Sequence, residues 1–193
     1  LYLPRTLGGE VQGPNPLWFV TGAALPTSNG VVKAQLEPQT LDASIQDVLS
    51  PFKAQGRPLT WWVGPSTAPG DLGKHLQRHG LVHNRDMMGM AADLEGLRAA
   101  APPVALKLEP VRTREMLSQW YQMSVLGFPI SFNQAHFDAL AATSMGESHP
   151  LQNYIGWLDG EIVAISSLFL GGGVAGLYNL VTHPEARGKG IGA

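Results

Sequence analysis

Apolar positions change their period several times along the chain, and each change marks an element. In residues 113–126 they recur at helical spacing, with Leu117, Trp120, Tyr121 and Ser124 at i, i+3, i+4 and i+7. Gly127 and Pro129 stop that helix. A second helix is expected to open at Ser131-x-x-Gln134, which has capping-box spacing, to carry Phe137, Leu140 and Ala141, and to end at Gly146. The pattern then turns strand-like. Tyr154–Leu158 and Glu161–Leu170 flank Asp159-Gly160, a strong short hairpin signal, and Val174–Thr182 follows the turn Gly171-Gly172-Gly173. The expected order is helix, helix, then three strands in an antiparallel meander.

The first half is less regular. Leu17–Thr21 and Val31–Leu36 read as paired strands with Asn29-Gly30 in the turn, and Leu41–Lys53 reads as a helix burying Ile45, Val48 and Leu49. Leu59–Val63 reads as a strand, Asp71–His79 as a short helix closed by Gly80, and Leu81–Leu94 as holding at least one more strand. Trp61 and Trp62 alternate across their strand, so one is expected in the core and the other outside. Between the halves, Pro102-Pro103 cannot continue a helix. This places one unit at residues 1–98, a linker at 99–104 and a second unit at 105–193. The overall class is α/β (α+β), a mixed sheet with flanking helices preceded by a smaller α/β unit.

Composition then narrows the chemistry. With 193 residues, 44% hydrophobic, the chain can build a core. A net charge of −2 argues against a nucleic-acid partner held by phosphate contacts. No run approaches the length of a membrane span. The absence of cysteine excludes disulfides, thiolate metal sites and cysteine nucleophiles, and it fits a cytoplasmic location. The six histidines show no metal spacing, and His75 with His79 is expected to be a solvated helix face.

The chemically informative segment runs from Leu180 to Gly192. A strand ends, His183-Pro184 turns the chain, and Arg187-Gly188-Lys189-Gly190-Ile191-Gly192 alternates glycines with two cations. Glycines let the backbone approach a ligand closely, and a following helix N-terminus adds unpaired donors, so the natural occupant is a pyrophosphate. Lys189 precedes Gly190 rather than Ser or Thr, which disfavours a P-loop, and the Gly-x-Gly-x-Gly phasing after a meander disfavours a dinucleotide fold. The alternative is a glycine-rich surface loop with no ligand.

Arg187, Gly190 and Gly192 fit the Arg/Gln-x-x-Gly-x-Gly/Ala signature, and with the helix–helix–hairpin–strand order before them the segment resembles the GCN5-related N-acetyltransferase (GNAT) family over residues 105–193. The resemblance implies an acyltransferase that moves an acetyl group from acetyl-coenzyme A, as co-substrate and without metal, to a small-molecule or peptide amine. It assigns Leu180, Val181 and Thr182 to the pantetheine arm, Arg187, Gly188, Lys189, Gly190, Ile191 and Gly192 to the phosphates, and Phe128 to the acceptor pocket. A carboxylate common on the family's corresponding strand has no counterpart in Val174–Asn179; Tyr178 and Asn179 are the remaining polar candidates there. Glu185 and His183 are expected to shape the loop. A non-catalytic acyl-coenzyme A sensor is the alternative function. The first unit is expected to be a degenerate domain of the same kind, and the second to be the N-terminal half of its domain, inactive as this fragment.

Overall fold

The computed structural model describes residues 9–21, 26–96, 105–128, 130–146 and 149–192. The chain divides into two compact units, residues 1–91 and 92–193. The expected linker, residues 99–104, lies outside the described residues.

In the first unit, strands β1 (Glu10–Gln12), β2 (Leu17–Val20), β3 (Gly30–Lys33) and β4 (Thr60–Trp61) form one sheet in that order. β1–β2 and β2–β3 are antiparallel, while β4 runs parallel to β3 after the crossover helix α1 (Leu41–Ala54). Ile45, Val48, Leu49 and Phe52 recur at helical spacing on α1 and are buried with Val31, Trp61 and Leu72. Helix α2 (Leu72–Arg78) ends in a Schellman pair: Leu81 N–H reaches the Leu76 carbonyl, Gly80 N–H reaches that of Gln77, and Gly80 takes φ 89°. Trp61 is inside and Trp62 is exposed, as the alternation requires.

Three expectations for this unit are corrected. Asn29-Gly30 is not a turn. Asn29 is buried, its Oδ1 accepting from Thr21 N–H at 2.8 Å and its Nδ2 donating to the Pro58 carbonyl at 3.0 Å. Gly30 begins β3 because the Thr60 carbonyl of β4 occupies the place a Cβ would need. The strand expected over Leu59–Val63 shortens to Thr60–Trp61, the only two residues there in register with β3. Residues 81–94 form no strand; Val82, Met87, Met88 and Met90 are exposed, and an apolar pattern without a partner strand gives its amides no ladder.

The second unit has a four-stranded antiparallel sheet, order β5 (Lys107–Pro110), β6 (Leu151–Leu158), β7 (Glu161–Gly171), β8 (Val174–Thr182). Asp159 and Gly160 both take positive φ, 54° and 88°, which the two-residue hairpin between β6 and β7 demands. β5 had no counterpart among the expected strands. Helix α3 (Arg114–Gly127) is capped by Thr113, whose Oγ1 accepts from Met116 N–H. Helix α4 (Gln134–Ser144) is capped by Asn133 rather than Ser131, because Asn133 Oδ1 accepts from His136 N–H at 2.9 Å. The four positions read as the inner face of α3 are all buried, against Ile155, Ile165, Val181 and Phe137. Each large apolar side chain so buried contributes roughly 1.5–3 kcal/mol.

Candidate functional site

The site is assembled on β8, an edge strand of the second sheet, and on the chain that leaves it. β8 is not regular. Ile165 of β7 faces Val181 and Ser167 faces Tyr178, so Asn179 and Leu180 together oppose Ser166. Two residues against one make a bulge, and Asn179 absorbs it with φ 52°, a region Asn tolerates better than most residues. Where the register slips, the Ser166 carbonyl accepts the indole N–H of the buried Trp120 at 3.1 Å, which ties α3 to this part of the sheet. Gly127, the last residue of α3, lies against the Val181 side chain so closely that a Cβ would overlap both methyls.

The bulge brings Asn179 to a file of polar side chains. Asn179 Nδ2 donates to Ser167 Oγ at 3.1 Å, Ser167 Oγ donates to Asn153 Oδ1 at 2.6 Å, and Asn153 Nδ2 donates to Ser144 Oγ at 2.8 Å. Ser144 Oγ in turn donates to the Leu140 carbonyl at 2.8 Å. Ser167, Asn153 and Ser144 are almost wholly buried, Asn179 exposed. Tyr178 is 57% exposed, its ring lying over Gly176.

Beyond β8, His183 N–H bonds the Val163 carbonyl at 2.8 Å, and Pro184–Ala186 makes one 3-10 turn with Ala186 buried. Glu185 N–H donates to His183 Nδ1, so both residues belong to the turn's own geometry. Arg187 folds back, its Nε donating to the Thr182 carbonyl at 3.1 Å. Gly188 and Gly190 then take φ 76° and 74° on either side of Lys189, and a Cβ at Gly192 would lie 3.3 Å from Thr182 Oγ1. Arg187 itself is extended, and the left-handed glycines at alternate positions leave the N–H groups around them uncrowded by side chains, a feature that anion-binding loops share. Lys189 is exposed and makes no ion pair among the described residues. Residues 187–192 are turns; the helix expected after the glycine run is not present among the described residues.

The strand and loop residues read from the sequence thus lie in one continuous stretch. Val181 points into the core and Leu180 is 57% exposed, so the two present opposite faces. Phe128 follows Gly127 at the end of α3, half-buried against the core cluster that includes Val181, and its N–H bonds the Ser124 carbonyl. Earlier on the same helix, Tyr121 OH meets His136 Nδ1 at 3.1 Å, and burial pulls the His136 pKa below its ordinary value. Arg114 bonds Asp138, and that bond, with a second from Gln134, lowers the Asp138 pKa. A shallow depression of about 600 Å³ lies between α3 and the β6–β7 hairpin, reaching His183; neither Asn179 nor the glycine loop lines it.

In the first unit, the structure adds a carboxylate that periodicity did not supply: Asp42 of α1 meets His79 Nε2 at 2.9 Å and lies 3.8 Å from His75. Hydrogen bonding to His79 holds Asp42 below the usual carboxylate range. No group of three or more His, Cys, Asp or Glu among the described residues could hold a metal ion.

Residues 117–193 match the family model described as Acetyltransferase (GNAT) family. No curated protein matches the chain. Among solved structures, a GCN5-related N-acetyltransferase from Kribbella flavida superposes with a TM-score of 0.70 at 15% identity, covering 99% of this chain and 72% of that one. A functionally unknown conserved protein from Staphylococcus epidermidis ATCC 12228 superposes with a TM-score of 0.57 at 10% identity, covering 96% and 76%. At such identities these two likenesses are likenesses of fold.

Proposed function

We propose, from the premise that residues 117–193 form a domain of the GNAT acetyltransferase family, that the protein moves an acetyl group from acetyl-coenzyme A to an amine. The observation that carries this reading is the pair of left-handed glycines, Gly188 and Gly190, set directly behind an outer strand, with Arg187 before them and Lys189 between them. Main-chain donors without intervening side chains suit phosphate oxygens, and the two cations suit their charge. Arg187 is held in place through Nε, which leaves the rest of its guanidinium for a phosphate.

The residues fit the co-substrate in a second respect. β8 offers an unpaired ladder edge among the described residues, so Leu180, Val181 and Thr182 can pair by main chain with an extended amide-bearing arm. Acetyl-coenzyme A supplies the activated acyl carbon when bound. The amine nitrogen bonds that carbon, the carbon–sulfur bond breaks, and the proton the amine loses balances the thiolate released. β8 carries no carboxylate, so that proton leaves to water or to a group outside this strand. The protein's own contribution is positioning of the two reactants. The first unit, with its four-stranded mixed sheet, is proposed as a degenerate domain of the same kind that lacks the phosphate loop.

Calorimetry with acetyl-coenzyme A tests the reading, with ATP as the competing ligand, followed by thiol release across a panel of amines. Binding of acetyl-coenzyme A in preference to ATP, with amine-dependent thiol release, is the expected result. Tighter binding of ATP, or no binding of either, overturns it.

A further inference from the structure

Each hydrogen in the file from Asn179 to Leu140 has only one way to point. The Leu140 carbonyl can only accept, so the Ser144 hydroxyl must donate to it. Ser144 Oγ then takes a hydrogen from Asn153, which presents its amide nitrogen there and its oxygen to Ser167. The Ser167 hydroxyl gives its single hydrogen to that oxygen and is left as an acceptor. Asn179 must therefore offer Nδ2 inward. Both orientations of an exposed asparagine amide are ordinarily open; here three buried partners select one. Its Oδ1 is left without a partner among the described residues, on an exposed residue at a bulge.

This location has a consequence for the proposed reaction, on which the inference rests. With phosphates at residues 187–192 and the arm along Thr182, Val181 and Leu180, the acyl end of the co-substrate lies toward the start of β8. Asn179 is the next residue in that direction, three positions or about 10 Å from Thr182. We propose that Asn179 is a substrate-contacting residue whose Oδ1 accepts a hydrogen bond from the N–H of the incoming amine, and that Ser167, Asn153 and Ser144 are positioning residues that fix its orientation. A neutral, oriented acceptor suits an amine nucleophile because it aligns the nitrogen without removing its proton. It also gives a use to the bulge, which brings the Asn179 amide to the buried Ser167 hydroxyl.

The test is steady-state kinetics with acetyl-coenzyme A and the best amine from the panel, on the full chain. Asn179→Gly keeps the positive φ, and so the bulge, while removing the amide. Its kcat/KM for the amine is expected to fall about tenfold, the effect of one uncharged hydrogen bond, with the calorimetric Kd for acetyl-coenzyme A unchanged. Ser167→Ala releases the inward anchor and is expected to raise the amine KM with the co-substrate KM unchanged, a split that general destabilisation does not produce. An Asn179→Gly protein with wild-type kcat/KM for the amine overturns this inference alone. A wild-type protein that binds no acetyl-coenzyme A overturns the reading it rests on, and this inference with it.

Discussion

Replacing Gly127 by alanine sets two effects of known sign against each other. Gly127 lies in the last turn of α3 with an ordinary negative φ, so alanine there should stabilise the helix by up to about 1 kcal/mol. Against this stands the Val181 side chain. A Cβ at residue 127 would overlap Cγ2, lie 2.7 Å from Cγ1 and lie 3.1 Å from Cβ, where carbon pairs prefer about 3.5–4.0 Å. Val181 cannot swing away, because its χ1 is stiff, both methyls are involved, and it is buried in the core. Overpacking of this kind costs about 1–3 kcal/mol, so Gly127→Ala should be net destabilising by about 1–2 kcal/mol. Val181→Ala removes both methyls, and in that background Gly127→Ala should be neutral or stabilising. A double-mutant cycle by equilibrium urea unfolding should therefore give a coupling of at least about 1 kcal/mol between the two positions. If Gly127→Ala raises the midpoint in the wild-type background, or shifts it equally in both, the reasoning about how α3 sits on β8 is wrong.

Other outcomes follow from the same geometry. Trp120→Phe keeps most of the ring but leaves the Ser166 carbonyl without its indole donor, and should cost about 1–3 kcal/mol in urea unfolding. Gly188 has open space around it but φ 76°, so Gly188→Ala should weaken acetyl-coenzyme A binding by the about 1–2 kcal/mol of a left-handed alanine, and Gly188→Asn by less; equal affinities by calorimetry would refute this. Burial lowers the His136 pKa in the folded state, so the unfolded chain binds its proton first as pH drops; the stability His136 contributes is full above about pH 6.5 and is lost on acidification below it. An NMR titration should place its midpoint below 6.5, and a midpoint at or above that value would contradict the burial argument.

How much of this was legible in the sequence depended on whether the signal was local. The β6–β7 turn at Asp159-Gly160, the extent of β8 and the buried face of α3 all follow from the period of apolar positions and from turn residues that need positive φ. What escaped depended on partners distant in the chain. Gly30 looked like a turn glycine because the Thr60 carbonyl that requires it comes thirty residues later. β5 is a polar edge strand whose only justification is the exposed margin of β6. Residues 81–94 have strand-like composition and no strand to pair with. Site residues divide the same way. The glycines and cations of the loop stand together in sequence, whereas the companions of Asn179 at 167, 153 and 144 are scattered over three elements, and nothing in their spacing announces them. Asp42 beside His79 is the same case in the first unit.

The one-way run of hydrogens from Asn179 to Leu140 also constrains how this domain can change over generations. Losing any interior member strands a neighbour in a place water does not reach, so stepwise drift there passes through a weakened protein. Lineages that depart from this arrangement should exchange positions 144, 153 and 167 in concert, as three apolar residues or as three polar ones, and seldom one at a time.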